Sequence, residues 1–316
     1  MIFITETRNG NLSLVINFHK VDNHEWFEMV IKYLKEKYEI ITANDLHNVF
    51  IHKRERKGLC HITVDDGDKS FYKIIFPVLY KYQVPASIYV SPLIITGNIN
   101  FWFQEISEFN KNALLDIIAE KYKTDKIKLE KFNVGDIFTC LKIKEINEII
   151  DKYKDSHNIG FTDRQNMNME ELIAIHKSGL VEVGAHTLNH PILANENDKT
   201  SESEILDSIS NLKDILNSDI KYFAYPNGIP GLDFCKREIQ YLRSANIKLA
   251  FSTECQKLKF NENNLLSIPR LGLSYGSKNI INLKLSAYKT WDFLRRHLLH
   301  NERKQRQDIY KLLMIN

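Results

Sequence analysis

A chain of 316 residues with 43% hydrophobic and 26% charged content has an ordinary globular make-up and can bury a sizeable core without staples. Its 43 Lys+Arg against 40 Asp+Glu leave a net charge of +3, which gives no argument for nucleic-acid binding. Four scattered cysteines, Cys60, Cys140, Cys235 and Cys255, form no CxxC pair and argue against a disulfide framework or zinc ribbon, in favour of reduced thiols.

The first residues carry Glu6 and Arg8, with no basic n-region and no small-residue cleavage site, so they do not read as a secretory signal. No run of eighteen apolar residues predicts a transmembrane helix. The expected compartment is the cytoplasm.

LSLVINFH (12–19) reads as a buried strand. EWFEMVIKYLKEKY (25–38) then sets Trp26, Phe27, Val30, Ile31 and Leu34 at helical spacing, and EIIT follows as a short strand. GLCHITV (58–64) is a strand running into Asp-Asp-Gly, SFYKIIFPVLYKY (70–82) a helix, and PASIYVS (85–91) another strand. This alternation predicts parallel βα units.

It breaks between about 98 and 165, where NALLDIIAEKYK and IKEINEIIDKYK are helical amphipaths. The segment reads as a helical insertion between two barrel strands, a lid or a partner surface. It is expected either to tune substrate choice while leaving the chemistry to the rest, or to be a solvated pack with no direct role. Alternation resumes with NMEELIAIHKSG as a helix, LVEVGAHT as a strand and 201–218 as a helix. YFAYPNG is then a strand, FCKREIQYLRSANI a helix, and LAFST and SIPRLGL are strands. About seven units predict an α/β fold, an incomplete or distorted (β/α) barrel spanning residues 1–280. The tail from Ile281 to Asn316 carries eight Lys+Arg against three Asp+Glu. Trp291, Phe293, Leu294, Leu298 and Leu299 give it an apolar stripe. It reads as a helix packed on the domain, or as a contact for a membrane surface or partner.

Three predicted strands end in polar clusters. In Thr63-Val64-Asp65-Asp66-Gly67, alternation would turn the two carboxylates apart, but Gly67 permits a turn that brings both into one pocket. One can then bind a cation and the other act as a base. In His186-Thr187-Leu188-Asn189-His190-Pro191, two His separated by three residues on one helical turn can share a metal. Imidazole plus carboxylate suits Zn²⁺, and also Co²⁺, Ni²⁺, Fe²⁺ or Mn²⁺. Phe223-Ala224-Tyr225-Pro226-Asn227-Gly228 ends in a turn able to aim a backbone N–H at an oxyanion. Arg270, in Ile268-Pro269-Arg270, ends another predicted strand, from which it could reach Asp65 across the barrel mouth.

Together, in order and spacing, these segments resemble the motifs of the polysaccharide deacetylase family, carbohydrate esterase family four. Thr63–Gly67 looks like its first motif with Val64 in place of Phe. His186–His190 with Pro191 and Leu193 is similar to the second, and Phe223–Gly228 to the third. Asn17-Phe18-His19-Lys20-Val21 resembles a segment of the family's first strand, and Phe101-Trp102-Phe103 an aromatic patch of relatives linked to surface glycans. The likeness covers roughly 12–95 and 165–273. It implies a distorted (β/α) barrel of about seven strands and hydrolysis of an N-acetylated sugar, in a polysaccharide or a glycan precursor. It also implies one divalent metal on Asp66, His186 and His190, Asp65 as general base and the Asn227 N–H at the oxyanion. His19, Tyr225 and Pro226 are expected at the substrate. Two positions depart from the pattern. Ala224 stands where relatives carry an Arg, and no late Leu-x-His follows, the remaining late histidines being His297 and His300. A catalytically impaired glycan-binding protein on the same fold, or a different metal hydrolase such as a phosphoesterase, are the rival readings.

Overall fold

A computed structural model describes residues 12–315 apart from 54–55, 161, 255, 257, 261–264 and 287, and describes 288–299 by backbone alone. Strands β1 (Leu14–Phe18), β2 (Glu39–Ile40), β3 (Leu59–Val64), β4 (Ala86–Val90), β5 (Val181–Ala185), β6 (Tyr222–Ala224), β7 (Leu249–Phe251) and β8 (Leu271–Gly272) form one all-parallel sheet. Its order is β7-β6-β5-β4-β3-β1-β8, with β2 beside the start of β3. Ile268 bridges to Phe251 of β7, and three residues later Leu271 pairs with Ile16 of β1. One stretch, 268–272, therefore joins the two ends of the sheet and holds Pro269-Arg270 in the seam.

Alternation sorts each strand into two rows. Leu14, Ile16 and Phe18, with Cys60, Ile62 and Val64, Ala86, Ile88 and Val90, and Val181, Val183 and Ala185, belong to the main core with the surrounding helices. The opposite row faces the barrel interior, where apolar residues such as Val15, Leu59, Tyr89, Leu249 and Phe251 stand with a polar set: Asn17, His61, Thr63, Ser87, Glu182 and, next to the strands, Asp65, His186 and Arg270, all but the half-buried Glu182 fully buried. Gly184 in that row is required by packing, since a Cβ there would stand 2.5 Å from the Tyr89 ring.

One helix has no counterpart in the sequence reading. Ala43–Ile51 contributes Leu46, Val49 and Phe50 to the apolar cluster inside the barrel. Its N-terminal N–H groups, on Ala43 and Asn44, donate to Glu182 at 2.6 and 3.2 Å, a carboxylate where a helix start favours one. The helix anticipated over 70–82 begins instead with a π-helical turn, Phe71–Ile75, before Phe76–Tyr82.

The insertion builds a core of its own from Leu114, Leu115, Ile118, Phe138, Ile146 and Ile149. The C-terminal helix Tyr288–Leu313 completes it with Ile309 and Leu313. The tail is thus, over its second half, a packed helix. Its apolar stripe Trp291, Phe293, Leu294, Leu298 and Leu299 lies outside the described side chains. Among the described residues no helix is long and apolar enough to cross a membrane. Cys60, Cys140 and Cys235 are free.

The tail is also locked by charge. Buried Arg306 pairs at 2.8 Å with buried Asp233, in the loop after β6. Burial pushes the Asp233 carboxyl up to about 6 despite the adjacent guanidinium. Arg306→Met should therefore destabilise the fold by about 3–5 kcal/mol, the usual cost of orphaning a buried charge. A carboxyl whose folded pKa lies above its unfolded value contributes fully at low pH and loses that contribution as pH rises through the folded value. Removing the cation raises the folded pKa further, so the deficit should be larger at pH 8 than at pH 5. Melting temperatures at both pH values check this, and a gap that does not change with pH would refute it.

Candidate metal centre

The site lies at the C-terminal ends of β1, β3, β5 and β6, where the inward row emerges from the barrel. Asp65 continues that row from Thr63. By alternation Asp66 would point away, but it takes the left-handed conformation (φ 71°), followed by Gly67 (φ 70°), and returns its carboxylate to the mouth. Positive φ recurs at Thr187 (63°), His190 (59°) and Asn227 (54°). Such a cluster of costly backbone conformations marks loops whose shape is set by a site.

Asp66 Oδ1 lies 3.5 Å from His186 Nε2 and 3.5 Å from His190 Nε2. The three donor atoms all sit within 4.8 Å of one another. A tetrahedral cation at about 2.0–2.1 Å from each ligand spaces its donors by roughly 3.3 Å, so the set needs only a small closure. His186 Nδ1 is 2.7 Å from the Ala224 carbonyl, which can accept a hydrogen bond from Nδ1–H and so leave Nε2, the nitrogen facing Asp66, as the candidate ligand atom. Burial and the neighbouring His186 hold His190 down to about 4, so it is a neutral imidazole. Burial also works against ionised Asp66, but the closely approaching His186 and the surrounding histidines outweigh it and keep the carboxyl low. Asp66 Oδ1 and His190 Nδ1 are buried without a hydrogen-bond partner. A buried carboxylate oxygen facing two imidazole nitrogens, with nothing donating to it, is chemically a cation site, and these residues fit one.

The two histidines are not on a helical turn, as their spacing had suggested. Residues 186–192 form a loop, pinned from several sides. Thr187 Oγ1 accepts from the His190 N–H at 3.0 Å. Buried Glu204 accepts from Leu188 N, Asn189 N and Asn189 Nδ2 at 2.8–3.0 Å. Ser91 Oγ donates to the His186 carbonyl at 2.9 Å.

Asp65 stands beside this set but serves a different partner. Arg270 grips it with two bonds, Nη1–Oδ1 and Nη2–Oδ2, both 2.8 Å, with both side chains buried. Asn17 Nδ2 adds a third donor at 3.1 Å, and Asn17 Oδ1 accepts from Thr63 and Arg270. Burial raises the Asp65 carboxyl, but Arg270 and then His186 outweigh it, so it sits below the ordinary value and is ionised. Arg270 thus supplies the cation that Ala224 cannot. His19 lies more than half exposed at the mouth, Nε2 3.9 Å from Asp65 Oδ2.

The third segment divides. The Asn227 N–H meets no acceptor among the described residues, and its turn is held by Thr253 N donating to the Gly228 carbonyl at 2.8 Å. Tyr225, expected at the substrate, is instead core. It is 1% exposed, stacked on Phe234 at 3.6 Å, and donates its hydroxyl to the Leu266 carbonyl. Strand alternation explains the correction, because β6 turns Phe223 and Tyr225 outward to the helices while Ala224 faces the interior. Pro226 is buried as well. Of the late histidines, His300 is exposed on the C-terminal helix, and the His297 side chain lies outside the described residues.

The insertion is less detached than expected. Trp102 Nε1 donates to the His190 carbonyl at 2.9 Å, and the rings of Phe101 and Phe103 stand edge-on to the His190 ring at 5.4 and 5.0 Å. At its other end, Met167 N donates to the Gly67 carbonyl at 2.9 Å, and Asp68 bridges to Asn166. Both ends of the insertion therefore clasp loops that carry candidate ligands. Only a replacement that spares about 98–104 and 164–167 would leave those contacts in place. Phe101-Trp102-Phe103 was the one signal for this in the sequence; nothing there singled out Glu204.

A family model described as polysaccharide deacetylase matches residues 136–250, taking in the histidine loop and the third segment but not Asp65 and Asp66. Three solved structures share the fold. IcaB from Ammonifex degensii is 18% identical with a TM-score of 0.59, covering 88% of this chain and 98% of that one. The deacetylase PplD of Streptococcus pyogenes, solved in complex with acetate, is 18% identical with a TM-score of 0.53, covering 83% and 91%. The BpsB deacetylase domain of Bordetella bronchiseptica is 14% identical with a TM-score of 0.54, covering 84% and 97%. Among curated proteins none matches the sequence.

Proposed function

We propose that this chain is a member of the polysaccharide deacetylase family, whose model matches residues 136–250, and a metal-dependent hydrolase that removes the acetyl group from an N-acetylated sugar of a glycan. The observation that carries this reading is the division of labour between adjacent carboxylates. Asp66 faces two imidazole nitrogens, whereas Asp65 faces a guanidinium and stays free of them. A pure binding protein has no use for a second buried carboxylate held ionised beside a cation site.

Asp66, His186 and His190 would hold the metal, which supplies Lewis-acid activation of water and of the acetyl carbonyl. Asp65 accepts the proton of the attacking water. Its two-point grip by Arg270 fixes which lone pair faces the mouth, and the Asn17 amide stops the carboxylate from rotating. The Asn227 N–H is the donor left over for the oxyanion. His19 is the remaining imidazole beside Asp65 and carries the proton to the departing amine.

Acetate release from a panel of N-acetylated glycans by metal-reconstituted protein tests the reading. It is abandoned if Zn²⁺-, Co²⁺-, Ni²⁺-, Fe²⁺- and Mn²⁺-loaded protein all fail on the whole panel.

Arg270 has its own expected result. Arg270→Ala should lower turnover on the order of 10²-fold, the scale of a misplaced catalytic group. The cation holds the Asp65 carboxyl low, so its removal raises that pKa and moves the acidic limb of the pH–rate profile to higher pH. Arg270→Lys should restore only part, since an ammonium cannot make the planar two-point contact. Unchanged pH limbs in Arg270→Ala would separate Arg270 from the chemistry.

A further inference from the structure

Two of the candidate metal ligands stand on different strand ends, Asp66 after β3 and His190 after β5. The sheet joins them through β4. A second connection runs outside the sheet. After Asp66, the Gly67 carbonyl accepts from Met167 N at 2.9 Å, and Lys69 N donates to the Gln165 carbonyl at 3.0 Å. The His190 carbonyl accepts from Trp102 Nε1, two residues before Gln104. These two arms meet at one pair of amides. Gln104 Nε2 donates to Asn166 Oδ1 at 3.0 Å, and Asn166 Nδ2 donates back to Gln104 Oε1 at 2.8 Å, with both side chains buried. Gln104 Oε1 also accepts from the Phe101 N–H at 2.9 Å, which fixes the turn that carries Trp102. Arg164 stiffens the other arm by donating to the carbonyls of Ile94, Asn166 and Met167 at 2.9–3.1 Å.

We infer that the Gln104–Asn166 pair positions the metal ligands, by closing a circuit of contacts that limits how far Asp66 and His190 can part. The inference rests on reading the centre as a metal site and is indifferent to the substrate. Each amide offers the other one donor and one acceptor, so the pair is satisfied in a single mutual orientation. Breaking it leaves a buried polar group unpaired, which makes it a firm joint. Ligands held near their final spacing lose less freedom when the ion arrives, and that saving appears as affinity. The coupling is reciprocal: an ion that is held more tightly by the circuit must tighten the circuit by the same factor.

The test is calorimetric Zn²⁺ titration of the full chain, unmodified and as Gln104→Met, Asn166→Leu and the double variant, with circular dichroism confirming each fold. Each single change should weaken Zn²⁺ binding about tenfold, the scale seen when groups supporting a ligand are lost. The double variant should bind no more weakly than the single ones, because one circuit is broken in all three. Hydrogen exchange of the unmodified protein reads the reverse direction and needs no variant. Zn²⁺ should slow exchange of the Phe101 N–H and of the Gln165 N–H, which donates to Asn100 Oδ1. Neither donates to a loop that carries a ligand. Unchanged Zn²⁺ affinity in both single variants, losses that add in the double variant, or exchange slowed only in the loops of Asp66 and His190 overturns the proposal. If the variants do not fold, the exchange result decides. Uptake of none of Zn²⁺, Co²⁺, Ni²⁺, Fe²⁺ and Mn²⁺ by the unmodified protein ends the metal reading and the proposal together, whereas uptake without coupling ends the proposal alone.

Discussion

Asp65→Asn should keep its metal and lose turnover by about 10²–10⁴, the contribution typical of a general base. The amide matches the carboxylate in shape but cannot accept the proton. Metal retention is expected because Asp66, His186 and His190 converge independently of Asp65. Arg270 would be left buried without its counter-charge, so a lower melting temperature should accompany the change. Assays well below that temperature separate lost chemistry from lost fold. Acetate release near that of the unmodified protein would show the roles of the two carboxylates to be reversed or absent, and elemental analysis of the same sample tells which.

Removing both imidazoles should do more. In His186→Ala, His190→Ala the metal content should drop from one per chain to near zero, and turnover should fall to the uncatalysed background. The backbone of the loop is secured by Thr187, Glu204 and Trp102, none of which needs the imidazole rings, so the fold should persist. The double variant is therefore a test of ligation and not of folding. Stoichiometry that stays at one would place the ion elsewhere and end the assignment.

How much of this was legible in the sequence depends on backbone regularity. On strands, alternation carries the information. Once 58–64 is read as a strand, Thr63 and Asp65 share a face, and Ile268-Pro269-Arg270 next to a strand puts Arg270 within reach of the mouth. The pairing with Asp65 at 2.8 Å is that geometry realised. In loops no period exists, and spacing alone misleads. His186 and His190 converge through left-handed residues at 187 and 190, not through a helical turn. Tyr225 stood in a motif, yet the same alternation, carried one residue past β6, would have sent it to the core. The helix Ala43–Ile51 was missed although its capping box, Thr42 with Asp45, precedes an apolar stripe at Leu46, Val49 and Phe50. Contacts between distant segments, such as Glu204 to Leu188, have no local signature, and only the aromatic patch Phe101-Trp102-Phe103 pointed to the one from Trp102 to His190.

The core of the insertion couples two distant parts of the chain. Its apolar cluster closes on Ile309 and Leu313 of the helix Tyr288–Leu313, while its two ends hold the loops of Asp66 and His190. The strands of the barrel all lie between residues 14 and 272 and pair with one another, not with that helix. Local openings can therefore uncouple the two, since stability need not be uniform across a fold. Loosening the helix, as in Ile309→Asp, should be felt at the loops around Asp66 and His190 before it is felt in the barrel.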